Sequence, residues 1–286
     1  MIQVEVATPE TFEEALPLFA AFQNQPVSDD HWWRLFHYSW PSKDRMRGFV
    51  LRDGKRIVGF FGTILYERLI DGRMEKFADL TSWVTLPEYR NHSLRLFEAV
   101  ASLEDRTLTC HTAIRSIHAL YQRFGFKELE NKWIVIMPTL NPLRPLGWFR
   151  GRITTDVERI LHKLSGREAA YVRELESDIC HPMLVTHKGQ HCLIIFTRTK
   201  GRRIHFSRIH HVSNREIFFA CLDHICWRLA LANRTLLVAV DARFLEGRVP
   251  RRGRETPLAL VSVYRSKTLR PEQIDNLYSE LTVLGL

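Results

Sequence analysis

Two short signals decide the reading of this chain. The first is Trp83-Val84-Thr85-Leu86-Pro87-Glu88-Tyr89-Arg90-Asn91-His92-Ser93-Leu94-Arg95; the second is Ala119-Leu120-Tyr121-Gln122-Arg123-Phe124-Gly125-Phe126. The first reads as the end of a strand, a turn opened by Pro87 and a helix over 91–103. Backbone N–H groups at such a helix start converge on one point, and the unpaired amides and the helix dipole together bind a phosphate or pyrophosphate. In the second, a helix ends at Gly125, the residue suited to the left-handed position after a helix, and a strand follows. Tyr121 then sits one turn before the end of that helix.

At these residues the chain resembles the GNAT superfamily of acyl-CoA N-acyltransferases. Their fourth strand ends in Val-x-Pro-x-Tyr-Arg and continues as Arg/Gln-x-x-Gly-x-Gly/Ala around the coenzyme A pyrophosphate. Here those positions read Thr85-Leu86-Pro87-Glu88-Tyr89-Arg90 and then Arg90-Asn91-His92-Ser93-Leu94-Arg95. Ser93 and Arg95 depart from the family's small residues; a hydroxyl and a guanidinium there meet phosphate charge directly instead of clearing a path to the backbone. The resemblance implies an α/β fold with an α+β mixed sheet of the acyl-CoA N-acyltransferase type. It also implies a donor site at Thr85, Arg90, Asn91, His92, Ser93, Leu94 and Arg95 for acetyl-CoA or another acyl-CoA. The Leu-Tyr-x-x-x-Gly-Phe ending is intact, and the family's leaving-thiolate acid falls on Tyr121.

The length of 286 residues favours two domains, and 45% hydrophobic with 11% aromatic residues supplies ample core. Charge divides them: residues 1–137 hold 17 Lys+Arg against 18 Asp+Glu, residues 138–286 hold 24 against 14. The basic second half invites an acidic partner, such as an acyl carrier protein, an anionic substrate or nucleic acid; without interleaved aromatics or a recognised motif, nucleic acid is the weakest of these. No apolar run reaches the length of a membrane span and the first residues lack a signal-peptide pattern, so no membrane partner and a cytoplasmic location are expected. The five cysteines are scattered without a Cys-x-x-Cys pair and read as buried thiols, and no His or Cys spacing calls for a metal.

Along the chain, residues 2–6 alternate as a strand, Thr11 to Glu14 open a helix as a capping box, and Ser28-Asp29-Asp30 cap a second, aromatic helix reaching Tyr38. Family members border the acceptor pocket with that second helix, which makes Trp33 and Tyr38 candidate substrate-binding residues; the alternative is plain core packing. Asp53-Gly54 and Asp71-Gly72 mark hairpins, and the strand over 74–85 places Asp79, Thr81, Trp83 and Thr85 on one face. Asp79, on the strand that floors the family's active site, and His111, at the end of the next strand, are candidate general bases. Two further strands, 126–130 and 133–137, are expected to form a hairpin across Asn131-Lys132. The resemblance thus covers residues 1–137.

Three prolines make residues 138–151 a linker, with Trp148 and Phe149 docking onto a domain. From 152 to 286 the element order helix, helix, strand, strand, helix, strand repeats the first half, ending in a helix over 271–281, so a tandem with a diverged, basic second GNAT-like domain is expected. It shows no phosphate loop and no second Leu-Tyr-x-x-x-Gly-Phe. The loop Arg248-Val249-Pro250-Arg251-Arg252-Gly253-Arg254 gathers four arginines. The leading functional expectation is an N-acyltransferase moving an acyl group, acetyl by preference, from acyl-CoA to a small-molecule amine. The alternatives are a Fem-type transferase drawing aminoacyl groups from transfer RNA and a binding protein that has lost its donor site.

Overall fold

The computed structural model describes residues 1–22, 27–138, 150–200 and 204–286. They form two compact units that do not follow the two sequence halves. The first comprises Met1–Leu129, Ala259–Ile274 and Tyr278–Leu284; the second comprises Glu130–Leu258, Asp275–Leu277 and Gly285–Leu286. Residues 139–149 of the expected linker, including Trp148 and Phe149, lie outside the described residues.

In the first unit the strands β1 (Ile2–Ala7), β2 (Gly48–Asp53), β3 (Arg56–Ile70), β4 (Arg73–Thr85) and β5 (Thr107–Ala113) lie side by side in sequence order. The sixth place, beside β5, is taken by the end of β12 (Gly253–Arg265), from Ala259 onward. Only β4 and β5 pair in parallel. The Asp71-Gly72 turn is as expected, with both φ angles positive (48° and 80°) and Ile70 paired to Arg73. The helices α1 (Phe12–Ala15), α2 (Asp29–Phe36), α3 (Ser93–Ala101) and α4 (His118–Arg123) accompany the strands, and the short α8 (Glu280–Val283) joins them from the end of the chain. The first is only a short α turn between 3₁₀ turns, because the cap lies earlier than Thr11: Thr8 donates its N–H to Thr11 Oγ1 at 3.0 Å, and Pro9 follows. Helix α2 starts where Ser28 Oγ accepts the His31 N–H. Helix α3 buries Leu96, Phe97 and Val100 at helical spacing against Phe61, Leu80 and Leu108. Burying each such side chain contributes about 1.5–3 kcal/mol against chain entropy.

The second unit contains β7 (Arg152–Thr154), α5 (Val157–Lys163), α6 (Gly166–Leu175), β8 (Cys180–His187), β9 (Gln190–Lys200), β10 (His205–Val212), α7 (Arg215–Asn233) and β11 (Val238–Asp241). Its sixth strand is the part of β6 (Lys127–Ile136) from Glu130 onward, which pairs antiparallel with β11. The order β7-β8-β9-β10-β11-β6, with only β10 and β11 parallel, repeats that of the first unit. Each sheet is therefore completed by a strand from the other half of the sequence, and this is why the units cut across the expected boundaries at 137 and 152.

Two local expectations fail. The hairpin at Asn131-Lys132 is absent because neither residue takes the positive φ that a two-residue turn demands; β6 runs straight through, with Glu130 Oε1 accepting both their N–H groups at 2.9 Å. The hairpin that joins β8 to β9 instead turns at Lys188-Gly189, with φ 50° and 79°. The closing helix is interrupted: a 3₁₀ turn at Pro271–Gln273 and α8 (Glu280–Val283) are separated by Tyr278, whose φ of 59° no right-handed helix accommodates. No helix among the described residues is long and apolar enough to cross a membrane.

Candidate active site

Strands β4 and β5 pair only from Phe77–Thr107 to Asp79–Thr109. Beyond that point β4 continues with β3 to Thr85, and β5 continues with β12 to Ala113. The first unit's sheet thus opens between its two parallel strands, with Asp79 and Thr109 at the vertex.

Both walls carry a bulge. In β4, Phe60 pairs with Val84 and Gly62 with Thr81, so Ser82 and Trp83 share the place opposite Phe61, and Ser82 takes φ 56°. The bulge reverses the alternation and splits the expected single face. Asp79 stays on one side, while Trp83 stacks on Phe61 at 5.1 Å beside Phe97, and Thr85 donates its hydroxyl to Ser93 Oγ at 3.1 Å. The Trp83 indole N–H is buried without a hydrogen-bond partner among the described residues. In β5, Ala113 pairs with Val261 and Cys110 with Val263, which places an extra residue at His111–Thr112.

A cluster of polar side chains is buried at the vertex. Asp79 is fully buried; its Oδ1 accepts the Thr109 hydroxyl at 2.7 Å and its Oδ2 accepts the Glu280 backbone N–H at 2.9 Å. His111, buried within β5 and not at its end, holds Nε2 3.6 Å from Asp79 Oδ1. Glu280 is 1% exposed, and its Oε1 accepts the Thr112 hydroxyl at 2.6 Å. Burial first, and the neighbouring Glu280 charge second, push the Asp79 carboxyl well above the usual aspartate range. The sequence-predicted pair Asp79 and His111 is therefore brought together. Glu280 joins them from a distance of 201 residues along the chain, and no local signal marks it.

Tyr121 lies on the helical side of the same strand. Its hydroxyl donates to Cys110 Sγ at 3.3 Å, and its ring meets Phe97 and Phe126 edge-on. Burial, followed by the Cys110 charge, holds the phenol well above its ordinary value, so it stays a proton donor across neutral pH. The position is set by the helix end. Phe126 N–H donates to Tyr121 O and Gly125 N–H to Gln122 O, the paired bonds of a left-handed helix cap, with Gly125 at φ 81° and the Phe126 ring packed on Tyr121. The Tyr-x-x-x-Gly-Phe spacing is the covalent signature of this cap.

The expected phosphate loop differs in form. The helix does not begin freely at Asn91: a 3₁₀ turn, Pro87–His92, runs directly into α3. Its bonds occupy the amides of Tyr89 and Ser93, donated to Leu86 and Arg90. Side chains remain: Arg90 and Asn91 are exposed, His92 and Ser93 half-buried, Leu94 exposed, and Arg95 donates to the Ile2 carbonyl at 3.1 Å.

The two candidate acceptor residues part company. Trp33 is 48% exposed and stacks on His37. Tyr38 is held in structure: its hydroxyl donates to Thr63 O at 2.8 Å and accepts the Leu65 N–H at 3.1 Å, on β3 beyond its last pair with β2, and Arg47 lies over its ring. Burial pushes its phenol up to about 12.

In the second unit, the corresponding parallel pair ends at Ile209–Val240. Asp241 follows, fully buried, and is bound by Arg208, Arg243 and Asn276. In the arginine-rich loop, Arg248 stacks over Phe219. All five cysteines are buried free thiols. Among the described residues no group of three His, Cys, Asp or Glu side chains could hold a metal.

No family model matches this sequence, and no curated protein does. Solved structures do. A GCN5-related N-acetyltransferase from Anabaena variabilis aligns with TM-score 0.59 at 12% identity, over 93% of this chain and 72% of its own. One from Kribbella flavida aligns with TM-score 0.56 at 13% identity, over 93% and 71%. Saccharomyces cerevisiae N-myristoyltransferase, solved with bound myristoyl-CoA, aligns with TM-score 0.55 at 7% identity, over 97% and 83%. The chain has the fold of these GNAT acyltransferases.

Proposed function

Starting from this fold, we propose that the chain is an N-acyltransferase that moves an acyl group, acetyl by preference, from acyl-CoA to a small-molecule amine. In this reading the first unit carries the chemistry and the second is a diverged copy of the same fold. The observation that carries it is the opening between β4 and β5, with a buried acid–base cluster at its vertex and a tyrosine hydroxyl beside its wall. Two splayed parallel strands leave backbone groups unpaired where an extended pantetheine arm with its amides would dock. The thioester carbonyl would be polarised by a strand N–H near Thr85 at the bulged end of β4, a fixed dipole aimed at developing charge.

Proton handling divides between the two sides of the strand. Tyr121 O–H already donates to a sulfur, Cys110 Sγ, and would pass that proton to the departing thiolate. The buried cluster of Asp79, His111 and Glu280 supplies the basic side. Arg90, His92 and Arg95 would meet the nucleotide phosphates through side chains, because the helical turn has occupied amides that a backbone cradle would use. That turn also favours a second donor, phosphopantetheine on an acyl carrier protein, which brings fewer phosphates. Five buried, unpaired thiols fit a reducing compartment, and we place the enzyme in the cytoplasm.

Calorimetric titration with acetyl-coenzyme A, followed by thiol-release assays, tests the proposal. The expected result is micromolar binding that is lost in the Arg90→Ala, Arg95→Ala double variant, with thiol release accelerated by primary amines. Absence of binding together with absence of thiol release, for acetyl-coenzyme A and for acyl carrier protein, would overturn it.

A further inference from the structure

The vertex cluster contains a carboxylate that the sequence does not announce, and its geometry differs from that of Asp79. Both Asp79 oxygens are occupied by donors, the Thr109 hydroxyl and the Glu280 N–H, and the residue has no exposed surface. Asp79 is thereby a clamp that fixes the start of α8 against the sheet. Glu280 turns its own carboxylate to Thr112, at 2.6 Å, on the bulge of β5. Of Asp79, Thr109, His111, Thr112 and Glu280, only Thr112 is half-exposed. A short hydroxyl-to-carboxylate bond with one end at the surface and the other in the interior is the arrangement of a proton relay.

We propose that Thr112 and Glu280 take the proton from the acceptor amine: the amine proton passes to Thr112 Oγ1 while the threonine's own proton moves to Glu280 Oε1. This rests on the acyl-transfer reading above. As the neutral amine forms its C–N bond, the C–S bond breaks and its electron pair leaves on sulfur, which takes the Tyr121 proton. Glu280 ends protonated and Tyr121 deprotonated, and exchange with solvent after product release restores both, so protons balance over a turnover. Thr112 is then the catalytic contact and Glu280, acting through it, the positioned acceptor.

Three titratable groups face Glu280, Asp79 from β4, Cys110 from β5 and Tyr121 from α4, and His111 of β5 stands beside Asp79. Two buried carboxylates so close do not both ionise readily. Asp79 has donors on both oxygens and no exposed surface, so Glu280, bonded to the half-exposed Thr112, is the member with a route outward.

The test is thiol release from acetyl-coenzyme A, with water as acceptor and with spermidine, lysine or glucosamine added, across acid to alkaline pH. Glu280→Gln keeps an oxygen for Thr112 but cannot take a proton; it is expected to lower kcat about 10²-fold, to leave the KM for acetyl-coenzyme A unchanged and to abolish the acid limb of the pH–rate profile. Thr112→Ser keeps the relay and is expected to retain most activity, while Thr112→Val loses it as Glu280→Gln does. A Glu280→Gln variant with wild-type kcat and an unchanged acid limb would overturn the inference. So would Thr112→Ser being as slow as Thr112→Val, because shape alone would then matter. No thiol release from the wild-type protein under any of these conditions would instead remove the acyl-transfer reading on which the inference stands.

Discussion

The two units share a strand order and a single parallel pair, yet they end that pair differently. In the first unit both strands outrun their last shared pair, β4 by six residues to Thr85 and β5 by four to Ala113, and the gap between them is lined by bulged backbone. In the second, β11 stops one residue after Val240, at Asp241, and turns into a 3₁₀ segment. The vertex residues follow suit. Asp79 and Thr109 are a polar pair within a buried cluster of titratable side chains, whereas Ile209 and Val240 are apolar and the next carboxylate is locked between Arg208 and Arg243. One scaffold holds an opening between its parallel strands and the other a closed ion network. The contrast teaches that in this fold the site is made less by the sheet than by how far two strands continue after they part.

The contrast can be broken by substitution. The largest effect is expected from Asp241→Ala, which leaves two buried guanidinium groups without their carboxylate and should cost about 3–5 kcal/mol of stability. Denaturant unfolding reads this, and thiol release per folded molecule should stay at its wild-type value; a matching fall in kcat would mean that the second unit takes part in the chemistry. Next comes Tyr121→Phe, expected to lower kcat by about 10²-fold with donor affinity retained, since it removes the hydroxyl and keeps the ring. Wild-type kcat in this variant would remove the tyrosine from the mechanism.

Gly125→Ala should cost about 1 kcal/mol in chemical denaturation. The residue sits at φ 81°, and the nearest atom to an added Cβ is Arg265 Cδ at 3.6 Å, so the cost is backbone conformation and not collision. The smallest effect is a pH slope. The folded carboxyl of Asp79 titrates above its ordinary value of 3.8, so its contribution to stability is full below that value and is lost as pH rises through the folded value. Thermal unfolding should therefore show Asp79→Asn gaining on the wild type from acid toward neutral pH. Parallel curves would mean that Asp79 stays ionised in the fold.

What was legible in the sequence was what is built locally. The Leu-Tyr-x-x-x-Gly-Phe ending specifies a helix cap within seven residues, and Asp71-Gly72 a turn within two; both stand where they were read. The strand carrying Asp79 was also legible, but not the bulge at Ser82, because no glycine or proline marks it and the positive φ is imposed by pairing with β3. The free helix start is absent for a related reason: Pro87 initiates a 3₁₀ turn that delivers the chain into α3 already hydrogen-bonded. The exchange of the sixth strands and the arrival of Glu280 beside Asp79 depend on partners more than a hundred residues away, and periodicity holds no record of them.

The central claim is that the first unit alone handles the thioester, and hydrogen–deuterium exchange with and without acetyl-coenzyme A tests it most directly. The account predicts slowed exchange over residues 81–95 and 109–121, with no change over 205–241. Protection over 205–241, with the first unit unchanged, would contradict it.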